Sequence, residues 1–180
     1  MTRAAGVGTR AAKTPAKPRW PKPLARLTAG YRRERPLGPY MALFSTYAVL
    51  TASGAISGAR RRGIPALDAR DGALLAVAAF KLSRLATKDK VTGFVRAPFA
   101  RFVEEGDGAE VNEAPRGEGI QRAIGELVTC PFCFTQWTLT ALVVAWWHAP
   151  EATRLASSVL AAAAAADVLH VGWTKLESAA

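Results

Sequence analysis

The chain has 180 residues, of which 24 are Lys or Arg and 14 are Asp or Glu, giving a formal charge of +10. The length fits one domain, and two cysteines in a single Cys-x-x-Cys exclude the disulfide framework of a small secreted scaffold. Half the residues are hydrophobic, yet mean hydropathy is only +0.08, so the apolar residues must be gathered into segments.

Residues 1–36 hold ten Lys/Arg and one acid, Glu34, with Pro15, Pro18, Pro21 and Pro23 closely spaced. Such a segment buries too little apolar surface to offset its ordering entropy, and disorder is expected. Its charge suits either nucleic acid, with Trp20 as a stacking group, or anionic lipid headgroups. The lipid partner is favoured and nucleic acid disfavoured, because basic cytoplasmic flanks are what membrane insertion selects. No apolar stretch of signal-peptide length precedes residue 37, so the first apolar segment is expected to be an uncleaved anchor. Heavy use of Ala, Arg and Gly suggests a GC-rich bacterial genome, on composition alone.

Leu37 to Gly58 is 22 residues without a charge. At about 1.5 Å per residue it is long enough to cross a bilayer core. Gly54 and Gly58 form a G-x-x-x-G beside Ser53 and Ser57. That spacing lets another helix approach closely and makes a homo-oligomer a candidate assembly; chance in a Gly- and Ala-rich chain is the alternative. A loop with Arg60, Arg61, Arg62, Gly63 and Pro65 leads to a second, shorter segment over residues 72–87. Lys81, Arg84 and Lys88 fall on one helical face. Snorkelling toward headgroups accounts for them most simply. The sharper alternative is a buried ion pair, with Lys81 or Arg84 turned into the bundle to meet an acid.

Residues 88–129 are the largest polar stretch. Val91 to Phe102 mixes Val, Phe and basic residues and reads as an interfacial segment lying on the membrane. Glu104 to Gly119 is acidic and Gly-rich and is expected to be a mobile solvated loop. Ile120, Ala123, Ile124 and Leu127 then have helical spacing. Residues 131–149 form a third apolar segment and 154–171 a fourth, which contains Ala161–Ala166. The short turn around Pro150 and Glu151 makes these two an antiparallel hairpin. Trp137 near one end, and Trp146 and Trp147 near the other, fit aromatic belts at two interfaces. Residues 173–180 are left as a short tail. The expected fold class is all-α, an integral membrane bundle of about four transmembrane helices.

Four spans put both termini on one side. With the N-terminus inside, the inner side collects the tail charges with Lys88, Lys90, Arg96 and Arg101. The outer side holds Arg60, Arg61, Arg62, Arg70 and Arg154. The positive-inside rule then puts the N-terminus in the cytoplasm, in a multi-pass protein of a bacterial inner membrane. The arginine triplet counts against this; a re-entrant first segment or a non-spanning second would relieve the conflict.

Cys130-Pro131-Phe132-Cys133 opens the third helix. Proline is favoured at the first helical position, which makes Cys130 the N-cap, where the helix dipole favours the thiolate. Cys133 lies one turn on, so the pair permits an internal disulfide or a shared metal. A zinc site usually takes two such pairs, and here there is one. The fourth helix returns antiparallel, which carries Asp167 and His170 toward the cysteines. Lys81, Arg84 and Asp89 fall on that same side. His148 lies at the opposite end of the third helix, roughly 20 Å away by helical rise. Candidate redox or metal residues are therefore Cys130, Cys133, His170 and Asp167, and a metal ion at Cys130, Cys133 and His170 is the candidate cofactor. The structural alternatives are an ion pair of Asp167 with Lys81 or Arg84, an interfacial His170, and cysteines that only cap the helix. Taken together, the structural roles lead.

Two blocks carry a family resemblance. One is Lys81-Leu82-Ser83-Arg84-Leu85, Lys88-Asp89-Lys90-Val91-Thr92 and Arg96-Ala97-Pro98-Phe99. The other is Gly125-Glu126-Leu127-Val128-Thr129-Cys130-Pro131-Phe132-Cys133, followed by Trp137. The chain resembles, over about residues 40–172, the bacterial membrane-protein family catalogued as domain of unknown function 1360. The resemblance implies a multi-helix membrane protein, and some members in spore-forming bacteria carry a sporulation label. It supplies no activity, cofactor or catalytic residue. With no recognisable catalytic motif, the leading expectation is a non-enzymatic membrane protein, a scaffold or assembly factor in an envelope process, whose protein partner the sequence leaves open. The alternatives are a thiol–disulfide oxidoreductase and a metal-binding or transport protein built on Cys130 and Cys133. The first generally needs a second cysteine pair or a quinone, and a cytoplasmic pair would be kept reduced.

Overall fold

A computed structural model describes Tyr31, residues 37–63 and residues 66–179. The basic tail expected over residues 1–36 lies, Tyr31 apart, outside the described residues. From Leu37 onward the elements are α1 (Leu37–Arg62), α2 (Ala69–Thr87), α3 (Gly93–Arg96), β1 (Ala100–Glu105), β2 (Val111–Pro115), α4 (Gly119–Thr129), α5 (Pro131–His148) and α6 (Pro150–Ala179). The all-α expectation holds, with one antiparallel hairpin added. Two helices, α1 and α6, are long and apolar enough to cross a membrane. A third span exists if α4 and α5, bent by 83°, count as one. Helix α2 carries Arg70, Asp71, Lys81 and Arg84 within 19 residues and falls short of that standard.

Local chemistry sets the helix ends. Helix α1 runs one turn past Gly58 and stops at Gly63, whose φ of 73° suits glycine. The Gly63 N–H donates back to Ala59 O at 2.9 Å. Helix α2 starts at Ala69, earlier than residue 72, because the Asp68 carboxylate accepts from the Asp71 N–H at 2.7 Å. Helix α6 begins at Pro150 and continues for 30 residues to Ala179, so the tail expected from residue 173 is helical.

Helix α2 is central, lying along both α5 and α6, while α1 packs on α5. Small residues make the contacts close: Leu75, Ala78 and Ala79 on α2 are fully buried. A Cβ on Gly54 would stand 2.5 Å from the Val144 side chain, and one on Gly58 would stand 2.8 Å from that of Trp147. The G-x-x-x-G face, expected to let another helix approach closely, receives α5 of the same chain. Ser57 near the end of α1 meets His148 at the end of α5, and Asp71 at the start of α2 meets Arg154 at the start of α6. At the other end, the Tyr40 hydroxyl near the start of α1 donates to Glu126 of α4. The four long helices thus alternate in direction, and residues 88–129 cap one end of the bundle.

That cap replaces the mobile loop expected over Glu104 to Gly119. Strands β1 and β2 pair from Ala100 opposite Pro115 to Glu105 opposite Val111, with an irregularity between Phe102 and Glu104. The cap is organised by a buried cation. Arg96 is 1% exposed and donates from Nε to Glu113 Oε2 on β2 at 2.5 Å. Its Nη1 donates to Ala86 O at 3.0 Å and Thr92 Oγ1 at 2.7 Å, and its Nη2 donates to Asp89 O at 2.9 Å. One guanidinium therefore joins the last carbonyls of α2, the α3 turn and the hairpin. Helix α4 then closes on the hairpin at Gly125, where a Cβ would lie 2.3 Å from Phe99 O and 3.1 Å from Pro115 Cβ.

Arg96→Met strands the Glu113 carboxylate and is expected to cost about 3–5 kcal/mol, read as a lowered melting temperature in detergent. Adding Glu113→Leu is expected to recover part of that loss. An unchanged melting point for Arg96→Met would refute the role given to this pair. Gly125→Ala must displace the backbone at Phe99 and is expected to cost about 1–3 kcal/mol in the same assay.

Candidate functional site

The thiol pair sits at the 83° elbow between α4 and α5. Pro131 forbids continuation of α4, and the extended backbone of Cys130 redirects the chain into α5. Cys130 is the N-cap of α5: its Sγ accepts from the Cys133 N–H at 3.2 Å. Both cysteines are free thiols, Cys130 half-buried and Cys133 exposed. Glu126, one turn before Cys130, accepts from Tyr40 and, on Oε1, from Arg122 Nε at 3.1 Å. The elbow thus offers two thiols beside a carboxylate that already holds two donors.

The structure does not bring the remaining candidates to this point. Among the described residues, no three of His, Cys, Asp and Glu gather where one metal ion could reach them. The site expected from Cys130, Cys133 and His170 is therefore not assembled. The reason lies in the packing. Helix α6 runs chiefly along α2 and only secondarily along α5, and every residue from Ala165 to Ala179 is exposed. Asp167 instead accepts from Lys81 Nζ at 2.5 Å, with Lys81 18% and Asp167 56% exposed. Arg84 does not share this pair. It turns to the cap, where Nη2 and Nε donate to Glu110 Oε1 at 2.5 and 2.9 Å, and it stands 5.8 Å from the centre of the Phe80 ring.

Other polar contacts were not singled out in the sequence. Arg154 Nη2 reaches both Asp71 oxygens, at 3.1 and 3.0 Å, and its guanidinium lies 4.9 Å from the centre of the Trp146 ring. Tyr47 on α1 shares a 2.7 Å hydrogen bond with Thr140 of α5 and accepts from Gln136 Nε2 at 2.9 Å. His148 Nε2 lies 3.2 Å from Ser57 Oγ and 3.3 Å from Gly54 O, at the end of α5 opposite the cysteines. The available signal was depth. Each of these pairs lies at similar distances from the matching ends of parallel neighbours, α2 with α6 and α1 with α5, which can be read once the helix pairing is known.

Chemically, the elbow can close a disulfide when an oxidant is supplied, and its capping role needs only one acceptor atom. Cys130→Ala is expected to cost about 1 kcal/mol by loss of the N-cap. Cys130→Ser, which keeps an acceptor, and Cys133→Ser on the exposed side are expected to melt like the parent protein. Equal loss for Cys130→Ala and Cys130→Ser would point to a thiol-specific role.

No solved structure matches the chain. The chain is similar to Sporulation protein YjcA of Bacillus subtilis (strain 168), with 30% identity over 100 residues that cover 54% of this chain and 85% of that protein. The profile of the family described as "Protein of unknown function (DUF1360)" matches residues 74–173, from the first turns of α2 to the late turns of α6, and leaves α1 outside. With more than half its length matched, and with both the Arg96 cap and the Cys130 elbow inside the match, the chain belongs to the DUF1360 family of proteins of unknown function.

Proposed function

We propose that this chain is a non-enzymatic integral membrane protein of a bacterial inner membrane, a scaffold or assembly factor in an envelope process. In this reading α1, α2, α5 and α6 all cross the bilayer, and the cap and the N-terminus lie in the cytoplasm. One observation carries it: large apolar side chains face outward from the bundle, while its interior mixes small apolar residues with hydroxyls. Ser83, Thr87, Thr138, Thr153 and Ser157 are buried between the helices, while Met41, Phe44, Val49, Leu50, Ile56, Val77, Phe80, Leu155, Val159, Leu169 and Val171 point outward. In water such an arrangement would forfeit most of the burial that drives folding. In a bilayer the outward residues meet acyl chains, and association comes from close packing and interhelical hydrogen bonds. Thr135 Oγ1 to Ser83 Oγ at 2.8 Å and Tyr47 with Thr140 are bonds of that kind.

Helix α2 is charged for a span, but Asp71, Lys81 and Arg84 of its four charged residues are matched by opposite charges. Lys81 meets Asp167 and Asp71 meets Arg154, as groups at membrane depth require. The orientation rests on the ten basic residues of the tail. The scaffold role is supported by a bundle whose polar groups serve packing, and the relative's name as a sporulation protein fits an envelope process.

The test is thiol labelling of the full chain in intact cells with a membrane-impermeant maleimide, using Cys130 and Cys133 as reporters. Labelling is expected only after the membrane is permeabilised. Labelling of intact cells would invert the orientation, and recovery of the chain in the soluble fraction after alkaline carbonate washing would remove the membrane reading altogether.

A further inference from the structure

The cap carries an apolar surface that its own packing leaves uncovered. Val91 is 80% exposed, Phe94 77% and Val95 60%. All three belong to the short turn around α3, whose fourth residue, Arg96, is fully inward. A water-bathed turn of this size gains nothing by presenting three large apolar side chains. The turn is also firmly held. Thr92 Oγ1 donates to Leu85 O at 2.6 Å, Val91 N donates to Asp89 Oδ1 at 2.8 Å, and Arg96 grips the carbonyls of Ala86 and Asp89. The exposure is therefore a fixed feature of the cap.

Its position names the occupant. Val91 lies four residues beyond Thr87, the last residue of α2, and the α3 turn is hydrogen-bonded to that helix end. If α2 spans, the turn stands at the level where acyl chains give way to headgroups. The apolar surface of the turn then continues the outward apolar surface of the bundle, and Lys88 and Lys90 adjoin it in sequence, the latter paired with Glu105 of the hairpin at 2.5 Å. Aliphatic and aromatic side chains flanked by lysines are what an interfacial anchor uses.

We infer that Val91, Phe94 and Val95 form a foot that inserts into the cap-side leaflet of the bilayer and fixes the cap against the membrane surface. This rests on the membrane reading above. It differs from a flat amphipathic helix, because the apolar residues are offered by a turn pinned through Arg96, so that insertion depth is coupled to the end of α2.

The experiment is nitroxide accessibility in liposomes containing anionic phospholipid. Spin labels are placed singly at Val49→Cys on α1, at Phe94→Cys on the foot and at Asp107→Cys in the hairpin turn. The background is the full chain with Cys130→Ser and Cys133→Ser, which keeps an N-cap acceptor. The label at 94 is expected to resemble that at 49, favouring collision with oxygen several-fold over a water-soluble nickel chelate, with 107 reversed. A lipid-like 49 with a water-like 94 overturns the foot and leaves the membrane reading standing. A water-like 49 overturns both. A label at 94 shielded from both reagents also overturns the foot, since it would mark a protein contact, such as a second copy.

Discussion

The buried Arg96–Glu113 pair is the interaction on which the arrangement of the cap depends. A guanidinium withdrawn from water is costly unless its donors find acceptors. Arg96 meets that requirement by drawing on four separate places: β2, the end of α2, the residues just after α2, and the α3 turn. Three of these places lie close together in sequence, at Ala86, Asp89 and Thr92, and Glu113 is brought to them from the far strand of the hairpin. The carbonyls at the end of α2 gain a positive charge where the helix dipole is negative. The hairpin gains an anchor that two short strands could not supply alone. Once the hairpin is fixed, Phe99 O and Pro115 form the surface on which Gly125 of α4 rests. Helix α4 in turn sets the direction from which the chain bends at Cys130.

The same economy governs the helices. Their interior is built chiefly from Ala, Gly, Ser and Thr, with Leu75 and Trp146 the large apolar side chains buried among the long helices of the described residues. Gly54 and Gly58 admit Val144 and Trp147 of α5, and Thr135 meets Ser83. Charged groups appear in matched pairs near both ends of α2. A bundle of this composition is held by proximity and hydrogen bonding, with burial of large side chains a minor part.

Much of the helical framework was legible in the sequence, because apolar runs of 16 to 22 residues leave few alternatives. Cys130 as an N-cap followed from Pro131. The cap was not legible. Val111 and Ala100 are its buried strand positions, too few to make an alternating pattern, and the acidic residues around them read as a solvated loop. Arg96 looked like one more topogenic charge, since no local feature distinguishes a cation that will be buried by residues seventeen positions away. The proposed meeting of His170 with the cysteines failed for a related reason. A helical hairpin fixes the direction of α6 but not which neighbour it follows, and α6 follows α2.

The disparity between α6 and its partner has a mechanical consequence. Helix α6 has 30 residues and α2 has 19, about 45 Å against about 28 Å of helix. Their contact is fixed at the start of α6 by Asp71 and Arg154 and further along by Lys81 and Asp167. The larger part of the surplus falls at the cap end, where α6 runs 12 residues beyond Asp167 and α2 runs 6 beyond Lys81. In the membrane reading proposed above, with hydrocarbon about 30 Å thick, hydrophobic mismatch there is relieved by leaning the helix or by letting its last turns stand clear of the lipid. The bilayer's thickness, rather than any contact within the chain, then decides how far Trp173, Lys175 and Glu177 project beside the cap.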